Sequence, residues 1–289
     1  MDFAVIGGDM RHAKLAELLY CDGHSVSVFA LDRFSFSENV TKCSTVKEAV
    51  KNAQCVVLPL PSVSRDGMLN APLSFSQHTI KEVFSALEPE QLVLAGRVDN
   101  AVREEASSFG IQLTDYFDRE ELAVKNAVAT VEGALSIIMD ETPITVRGMN
   151  CLIIGYGRLG KLLSHRLSCL GANVTASARK FSDMAWIESY GCRAVNTAAL
   201  DGTLSQYDVV VNTVPARVLS ENRLSELKEG CLCLDLASNP GGTDFSAASK
   251  LGVHAIWALS LPGEAAPTSA GANIRDTVYN ILTEKGASV

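Results

Sequence analysis

The sequence predicts an α/β fold of two doubly wound parallel-sheet domains, and three observations point there. Short apolar runs alternate with amphipathic stretches along most of the chain, the rhythm of strands and crossover helices. At 289 residues the chain exceeds what one core usually supports. A glycine-rich strand-to-helix crossing, Gly155-Tyr156-Gly157-Arg158-Leu159-Gly160, lies near the middle, where a second domain would open.

Residues 1–120 are expected to form the first domain, with strands at 3–6, 25–29, 56–60 and 92–95. These are short apolar runs bounded by turn residues, as parallel strands buried on both faces require. Segments 13–20 and 80–87 carry apolar residues at helical spacing. The first turn, Gly7-Gly8-Asp9-Met10-Arg11, lacks a third glycine, so this domain has the Rossmann rhythm without the dinucleotide fingerprint. A bridging helix is expected over 121–142, and Pro143 with Gly148 marks the boundary.

The second domain spans 143–268. After the glycine crossing, 171–178 supplies a turn and the second strand, and further strands fall at 209–215, 231–238 and 254–260, each of these three ending in small or polar residues. A last helix over 269–289 is expected to pack back on the first domain. Two Rossmann-like domains joined by a bridging helix would leave an interdomain cleft.

Charge and composition exclude several classes of function. The formal net charge is −8, so binding to nucleic acid through bulk charge is not expected. No apolar run approaches the roughly 20 residues needed to cross a bilayer, and the N-terminus enters a strand at once without a basic leader, so a cytoplasmic protein is expected. Eight cysteines show no CxxC spacing and five histidines are scattered, which predicts no metal site and mostly buried, reduced thiols. A homo-oligomer is compatible with the sequence, which does not specify one.

The central motif carries the chemistry. Gly155 permits the tight turn, Gly157 lets backbone amides approach a pyrophosphate, and Gly160 lets helix and strand pack closely. The helix that starts there directs its unpaired N–H groups and positive dipole end at phosphates, so Tyr156, Arg158 and Leu159 belong to the cofactor site with the glycines. An NAD-preferring site places a carboxylate about 20 residues further on, at the end of the second strand. Here that strand ends Ser177-Ala178-Arg179-Lys180. Two cations stand where the acid would be, and a 2′-phosphate suits them, so the expected cofactor is NADP. Asn212-Thr213-Val214-Pro215, Ala237-Ser238 and Leu261-Pro262 lie at successive strand ends and are expected to touch ribose and nicotinamide.

Substrate contacts are sought in the first domain. Arg11, in a first helical turn, opposes the macrodipole at a cost of roughly a few tenths of a kcal/mol unless an anion compensates or Asp9 pairs with it. Ser62, Ser64 and Arg65 occupy a loop opening from a strand end and are positioned to bind a carboxylate, although Pro, Ser and Gly there also suit an ordinary turn. Thr130 and Glu132, in the bridging helix, are the acid–base candidates; Glu132 equally suits a salt bridge.

These residues carry a family resemblance. Ile6-Gly-Gly-Asp-Met-Arg11, Leu58-Pro-Leu-Pro-Ser62, Thr130-Val-Glu-Gly133, the 155–160 crossing, Asn212-Thr-Val-Pro215, Asp235-Leu-Ala-Ser238 with Pro240-Gly-Gly-Thr-Asp244, and Leu261-Pro-Gly263 with Ala266-Pro-Thr-Ser-Ala-Gly271 resemble, in order and spacing, the dipicolinate synthase A-chain family. The second domain alone is also similar to the cofactor domains of 2-hydroxyacid and alanine dehydrogenases.

The resemblance implies NADP-dependent oxidation of dihydrodipicolinate, a product of the lysine pathway, to dipicolinate (pyridine-2,6-dicarboxylate). It also implies work beside a flavoprotein-like partner, the dipicolinate synthase B subunit, in the mother cell during sporulation. Two alternatives stay open at this point: another NADP-dependent oxidoreductase of a small amino or hydroxy acid, and a non-catalytic NADP(H)-binding regulatory subunit.

Overall fold

The computed structural model describes residues 1–259, 261 and 266–287. The chain divides into two compact units, Met1–Asn126 with Ala266–Val289, and Ala127–Ala265.

In the first unit β1 (Asp2–Ile6), β2 (Ser25–Phe29), β3 (Thr41–Lys42), β4 (Cys55–Val57), β5 (Leu92–Ala95) and β6 (Leu113–Asp115) form one sheet in the order β3-β2-β1-β4-β5-β6. Every pairing is parallel, so the strands are joined by crossovers that include α1 (Met10–Cys21), α2 (Val46–Val50), α3 (Ile80–Ser85) and α4 (Asn100–Ser108). Alternation along β1 feeds two cores: Phe3 and Val5 meet Leu15 and Leu19 of α1, while Ala4 and Ile6 face Val83 and Phe84 of α3. Strand β4 stops at Val57, short of the expected 60, because Pro59 and Pro61 cannot donate to a ladder.

Helix α5 (Glu120–Glu141) begins in the first unit and continues into the second. By length and composition alone it is long and apolar enough to cross a membrane, which corrects the expectation from the sequence. Several of its apolar side chains nevertheless lie in protein cores, Leu122 in the first unit and Val131, Ala134, Leu135 and Ile138 in the second, while Val124 and Met139 are exposed.

The second unit repeats the architecture. Strands β7 (Asn150–Ile154), β8 (Asn173–Ala178), β9 (Arg193–Asn196), β10 (Val209–Asn212), β11 (Leu232–Asp235) and β12 (His254–Trp257) are ordered β12-β11-β10-β7-β8-β9, again all parallel. Helices α6 (Arg158–Cys169), α7 (Phe181–Ser189), α8 (Glu221–Leu224) and α9 (Phe245–Leu251) connect them. Strand order reverses between β7 and β10, the place where an open parallel sheet offers a crevice beyond its carboxyl ends.

Helix α10 (Pro267–Glu284) returns to the first unit and packs on α1. A Cβ on Gly271 would lie 2.8 Å from the Arg11 carbonyl oxygen, so the contact requires glycine, and Ile274 and Val278 complete the core around Leu15 and Leu19. All eight cysteines are free. Burial pushes the Cys55, Cys151, Cys231 and Cys233 thiols up to about 12, so they act as small core hydrophobes.

Candidate functional site

The glycine crossing in the second unit divides into two structural glycines and one open one. Gly155 turns the chain out of β7 at φ +98°, and a Cβ there would lie 2.5 Å from Thr213 Oγ1. A Cβ on Gly160 would lie 2.0 Å from the Gly155 carbonyl oxygen. At Gly157 nothing lies within 4 Å of a built Cβ. Gly157 is also the N-cap of α6, and no side chain caps that helix. The uncapped amides of the first turn thus stand beside open space, the arrangement a pyrophosphate fits.

Around this crest the polar side chains divide between exposed and buried. Arg179 and Lys180, just past β8, are exposed, and among the described residues neither side chain has a hydrogen bond or ion pair. Arg158 and Ser238 are exposed as well, as is Pro215, while Thr213, Val214 and Leu159 are half-buried. Thr213 Oγ1 donates to the Ile154 carbonyl at 2.9 Å, fixing the loop after β10 over Gly155.

Several residues expected to touch a ligand instead build the walls. Ser177 is fully buried and accepts a hydrogen bond from Thr197 Oγ1 at 3.1 Å, so its hydroxyl positions the end of β8. Asn212 is fully buried too, donating to Val214 O and Asp235 Oδ1 and accepting from the Val214 amide. The Tyr156 ring packs in the core, with Lys161 Nζ 5.7 Å from its centroid. Ala237 is buried and its carbonyl accepts from Trp257 Nε1; Leu261 is buried in the same core as Tyr156. For Ser177 and Asn212 the physical reason is shared: strands covered on both faces turn even their terminal side chains inward. Pro262 lies outside the described residues.

Asp235 was not foreseen. Fully buried at the end of β11, its carboxylate accepts from Asn212 Nδ2 and from the amides of Ala237, Gly242 and Thr243 at 2.8–2.9 Å. It sets the shape of the turn that carries Ser238.

In the first unit the Gly7–Arg11 turn serves a different purpose. A Cβ on Gly8 (φ +104°) would lie 2.3–2.6 Å from atoms of His12, so this glycine makes room for a histidine ring where the second unit leaves room for a ligand. His12 is fully buried, with Nε2 3.0 Å from Tyr116 Oη; that hydroxyl in turn donates to the Leu58 carbonyl at 3.0 Å. Gly7, at φ +67°, abuts Leu69, Asn70 and Ala71, and the Gly8 amide donates to Asn70 O. The chain's own loop therefore closes over the crest of the first sheet.

Arg11 is anchored along one edge. Its Nε and Nη2 donate to Asp9 at 2.7–3.1 Å and Nη2 donates to the Leu60 carbonyl at 2.5 Å, while Nη1 has no partner among the described residues. Pairing with Asp9, one of the two readings the sequence left open for Arg11, is the one seen in the geometry. Burial resists ionisation of Asp9, but the hydrogen bonds and positive charge of Arg11 hold its carboxyl well below the usual carboxylate range.

Ser62 is fully buried and its Oγ has no partner. The other loop residues separate from it. An antiparallel bridge between Val63 and Leu69 makes a small hairpin, and Ser64, bonded to Asp66 and the Met68 carbonyl, and exposed Arg65 lie beyond that bridge. Turn chemistry accounts for Ser64. Glu132 is exposed on α5 and Thr130 half-buried two residues away; both belong to the second unit, whereas Arg11, Ser62, Ser64 and Arg65 belong to the first.

Residues 2–117 match the family of N-terminal domains of the dipicolinate synthase A subunit, and residues 138–237 match the NAD-binding domain of D-isomer-specific 2-hydroxyacid dehydrogenases. The dipicolinate synthase A subunit of Bacillus subtilis is 29% identical over 286 residues, which is 98% of this chain and 96% of that protein. The crystal structure of the B. subtilis A chain superposes with a TM-score of 0.87 at 28% identity, covering 98% of this chain and 96% of the other. The A subunit from Bacillus halodurans gives 0.88 at 27% identity, covering 97% of each. Over nearly its whole length the chain is similar to dipicolinate synthase A chains.

The chain is an oxidoreductase-like subunit with a nicotinamide-dinucleotide-binding domain in its second unit. The open face of Gly157 and the uncapped start of α6 are where that domain's residues fit the dinucleotide.

Proposed function

We propose that the chain is the NADP-dependent oxidising subunit of a dipicolinate synthase, converting dihydrodipicolinate to dipicolinate. The observation that carries this reading is the end-to-end similarity to dipicolinate synthase A chains, which includes the first-unit motifs that other dehydrogenases would not need. On the same similarity the proposed partner is a dipicolinate synthase B subunit, and the proposed place is the cytoplasm of the mother cell during sporulation.

The preference for NADP rests on Arg179 and Lys180. Both are exposed at the end of β8 with no internal partner among the described residues, so neither charge must be withdrawn from another interaction to meet a 2′-phosphate. The amides of Gly157, Arg158 and Leu159 would hold the pyrophosphate. When bound, the nicotinamide supplies an acceptor for the hydride lost as the ring becomes aromatic.

The first unit supplies the anion contacts. Arg11 Nη1 offers two N–H donors on a guanidinium already fixed by Asp9 and Leu60, so little freedom is lost on meeting a carboxylate. Ser64 and Arg65 remain proposed contacts at the hairpin tip. Ser62 lies deeper, its hydroxyl free to pair. Aromatisation itself favours loss of hydride and proton, which lowers the demand on acid–base groups. Glu132, exposed on α5, is the proposed proton acceptor, with Thr130 as the second candidate two residues before it.

The decisive assay follows formation of reduced nicotinamide. Dihydrodipicolinate should reduce NADP⁺, whereas alanine and 2-hydroxy acids should not; reduction by the latter would favour a different small-acid oxidoreductase. Arg179→Ala should raise the NADP(H) dissociation constant roughly tenfold or more, the weight of one charge-assisted contact, and leave NAD(H) nearly unchanged. Equal losses for both cofactors would refute the assignment. Glu132→Gln should depress turnover with cofactor affinity intact, and unchanged turnover in the assembled enzyme would remove Glu132 from the mechanism.

A further inference from the structure

Among the described residues only three buried side-chain polar atoms lack a partner, and two of them, His12 Nδ1 and Ser62 Oγ, lie in the first unit where the ends of β1 and β4 carry the proposed anion contacts. An orphaned buried polar atom calls for a cause. For His12 the hydrogen bonds define the question. Tyr116 Oη uses its proton on the Leu58 carbonyl, so it accepts from His12 Nε2–H, and the neutral ring carries a bare lone pair at Nδ1. That lone pair looks toward Asp9 Oδ1 at 3.6 Å. In this tautomer the buried Nδ1 and the half-buried Asp9 carboxylate face each other beyond hydrogen-bond distance, with no proton between them.

We propose that His12 is the proton site of the first unit's anion-binding turn, so that binding of a dicarboxylate at Arg11 is accompanied by uptake of a proton at His12 Nδ1. The inference rests on the anion-site reading of Arg11 given above. With no ligand, burial keeps the His12 ring neutral and the positive charge of Arg11 adds to that effect, against the attraction of Asp9. A carboxylate on Arg11 Nη1 offsets the cation, leaving the Asp9 charge to act on the ring. The added Nδ1–H then points at Asp9 Oδ1, and the orphaned atom is satisfied.

Among the described residues no titratable group other than Asp9, Arg11 and Tyr116 is recorded acting on the ring. Asp9 and Arg11 face the ring from the start of its own helix and Tyr116 from the turn after β6, while the residue just past β4 contributes the Leu58 carbonyl and β1 apolar side chains. Helix α10 meets α1 through Gly271 and apolar side chains, and its charged Arg275 and Asp276 pair with Asp22 and Lys125. His12 acts through Asp9 and Arg11 and is a positioning residue. The sign follows: the complex is stabilised where His12 can be protonated and loses that contribution as pH rises through the ring's value in the complex.

The test is calorimetric titration of pyridine-2,6-dicarboxylate into the full chain, in buffers of different ionisation enthalpy and across neutral pH. The wild type should show heat that varies with buffer, corresponding to about one proton taken up, and a dissociation constant rising roughly tenfold per pH unit. His12→Gln keeps a donor toward Tyr116 and should abolish both dependences; Asp9→Asn, which keeps an acceptor for the start of α1, should do the same. Buffer-independent heat in the wild type, or full proton uptake in either variant, overturns the proposal. Arg11→Ala separates the two readings: lost binding there with no proton uptake in the wild type sinks only the role of His12. Unchanged binding in Arg11→Ala, or none in the wild type, sinks the anion site with it.

Discussion

Gly157→Val should abolish dinucleotide binding while leaving the protein folded, raising the NADP(H) dissociation constant by roughly a hundredfold or more, about 3 kcal/mol. The selectivity of the effect comes from the local geometry. Gly157 has φ −80°, which any residue adopts, and a built Cβ meets nothing within 4 Å, so the chain itself loses little. What a side chain fills is the space through which backbone amides reach a pyrophosphate. Gly157→Ala should give a smaller loss in the same direction. Gly160→Ala makes the contrast, because its Cβ would stand 2.0 Å from the Gly155 carbonyl oxygen and the fold must shift to accept it. Thermal unfolding distinguishes them: Gly157 variants should melt with the wild type and Gly160→Ala well below it. A Gly157→Val protein that binds NADP(H) normally would mean that the cofactor lies elsewhere.

Arg11→Ala should remove most of the affinity for the dicarboxylate. A hydrogen bond between charged groups contributes about 1.5 to 3 kcal/mol, so losing one corresponds to roughly a ten- to 150-fold weaker ligand. The substitution also strips Asp9 of its guanidinium and leaves a half-buried carboxylate with fewer donors, so stability should fall by about 1 to 3 kcal/mol. Arg11→Lys separates the two effects. It keeps the charge but not the planar fork that reaches Asp9, Leu60 and a ligand at once, so affinity should stay low while stability partly recovers. KM for dihydrodipicolinate should rise in both variants with the dissociation constant of NADP(H) unchanged. A KM equal to that of the wild type in Arg11→Ala would remove Arg11 from substrate binding.

The second unit was legible because its glycines are each forced by a contact that leaves a trace in sequence. Gly155 and Gly160 are excluded from having side chains by Thr213 and by a backbone carbonyl, and their spacing identifies the crossing before any coordinates exist. The paired cations after β8 were legible for the same reason, since an acid at that position would be conspicuous. The direction of the strand-end side chains was not. In β8 every residue from Val174 to Ala178 is buried, so no alternation tells that Ser177 points inward. Asn212 and Asp235 read equally well as ligand contacts or as supports for the next turn, and only the bond between them decides it. In the first unit the double glycine was visible, but its reason was not, because the ring it accommodates is tied to Tyr116, distant in sequence. The edge strands β3 and β6 are two and three residues long, too short for any periodicity to declare them.

Calorimetric titration of NADP⁺ and NAD⁺ into the purified chain, alone and with the proposed B-subunit partner, tests the cofactor assignment on which the proposed reaction rests. Saturable binding of NADP⁺ is expected at about one per chain, since only the second unit keeps an open crest, with NAD⁺ at least about tenfold weaker, the weight of one 2′-phosphate contact. No heat with NADP⁺ in folded protein under either condition, or equal affinity for the two, would contradict it.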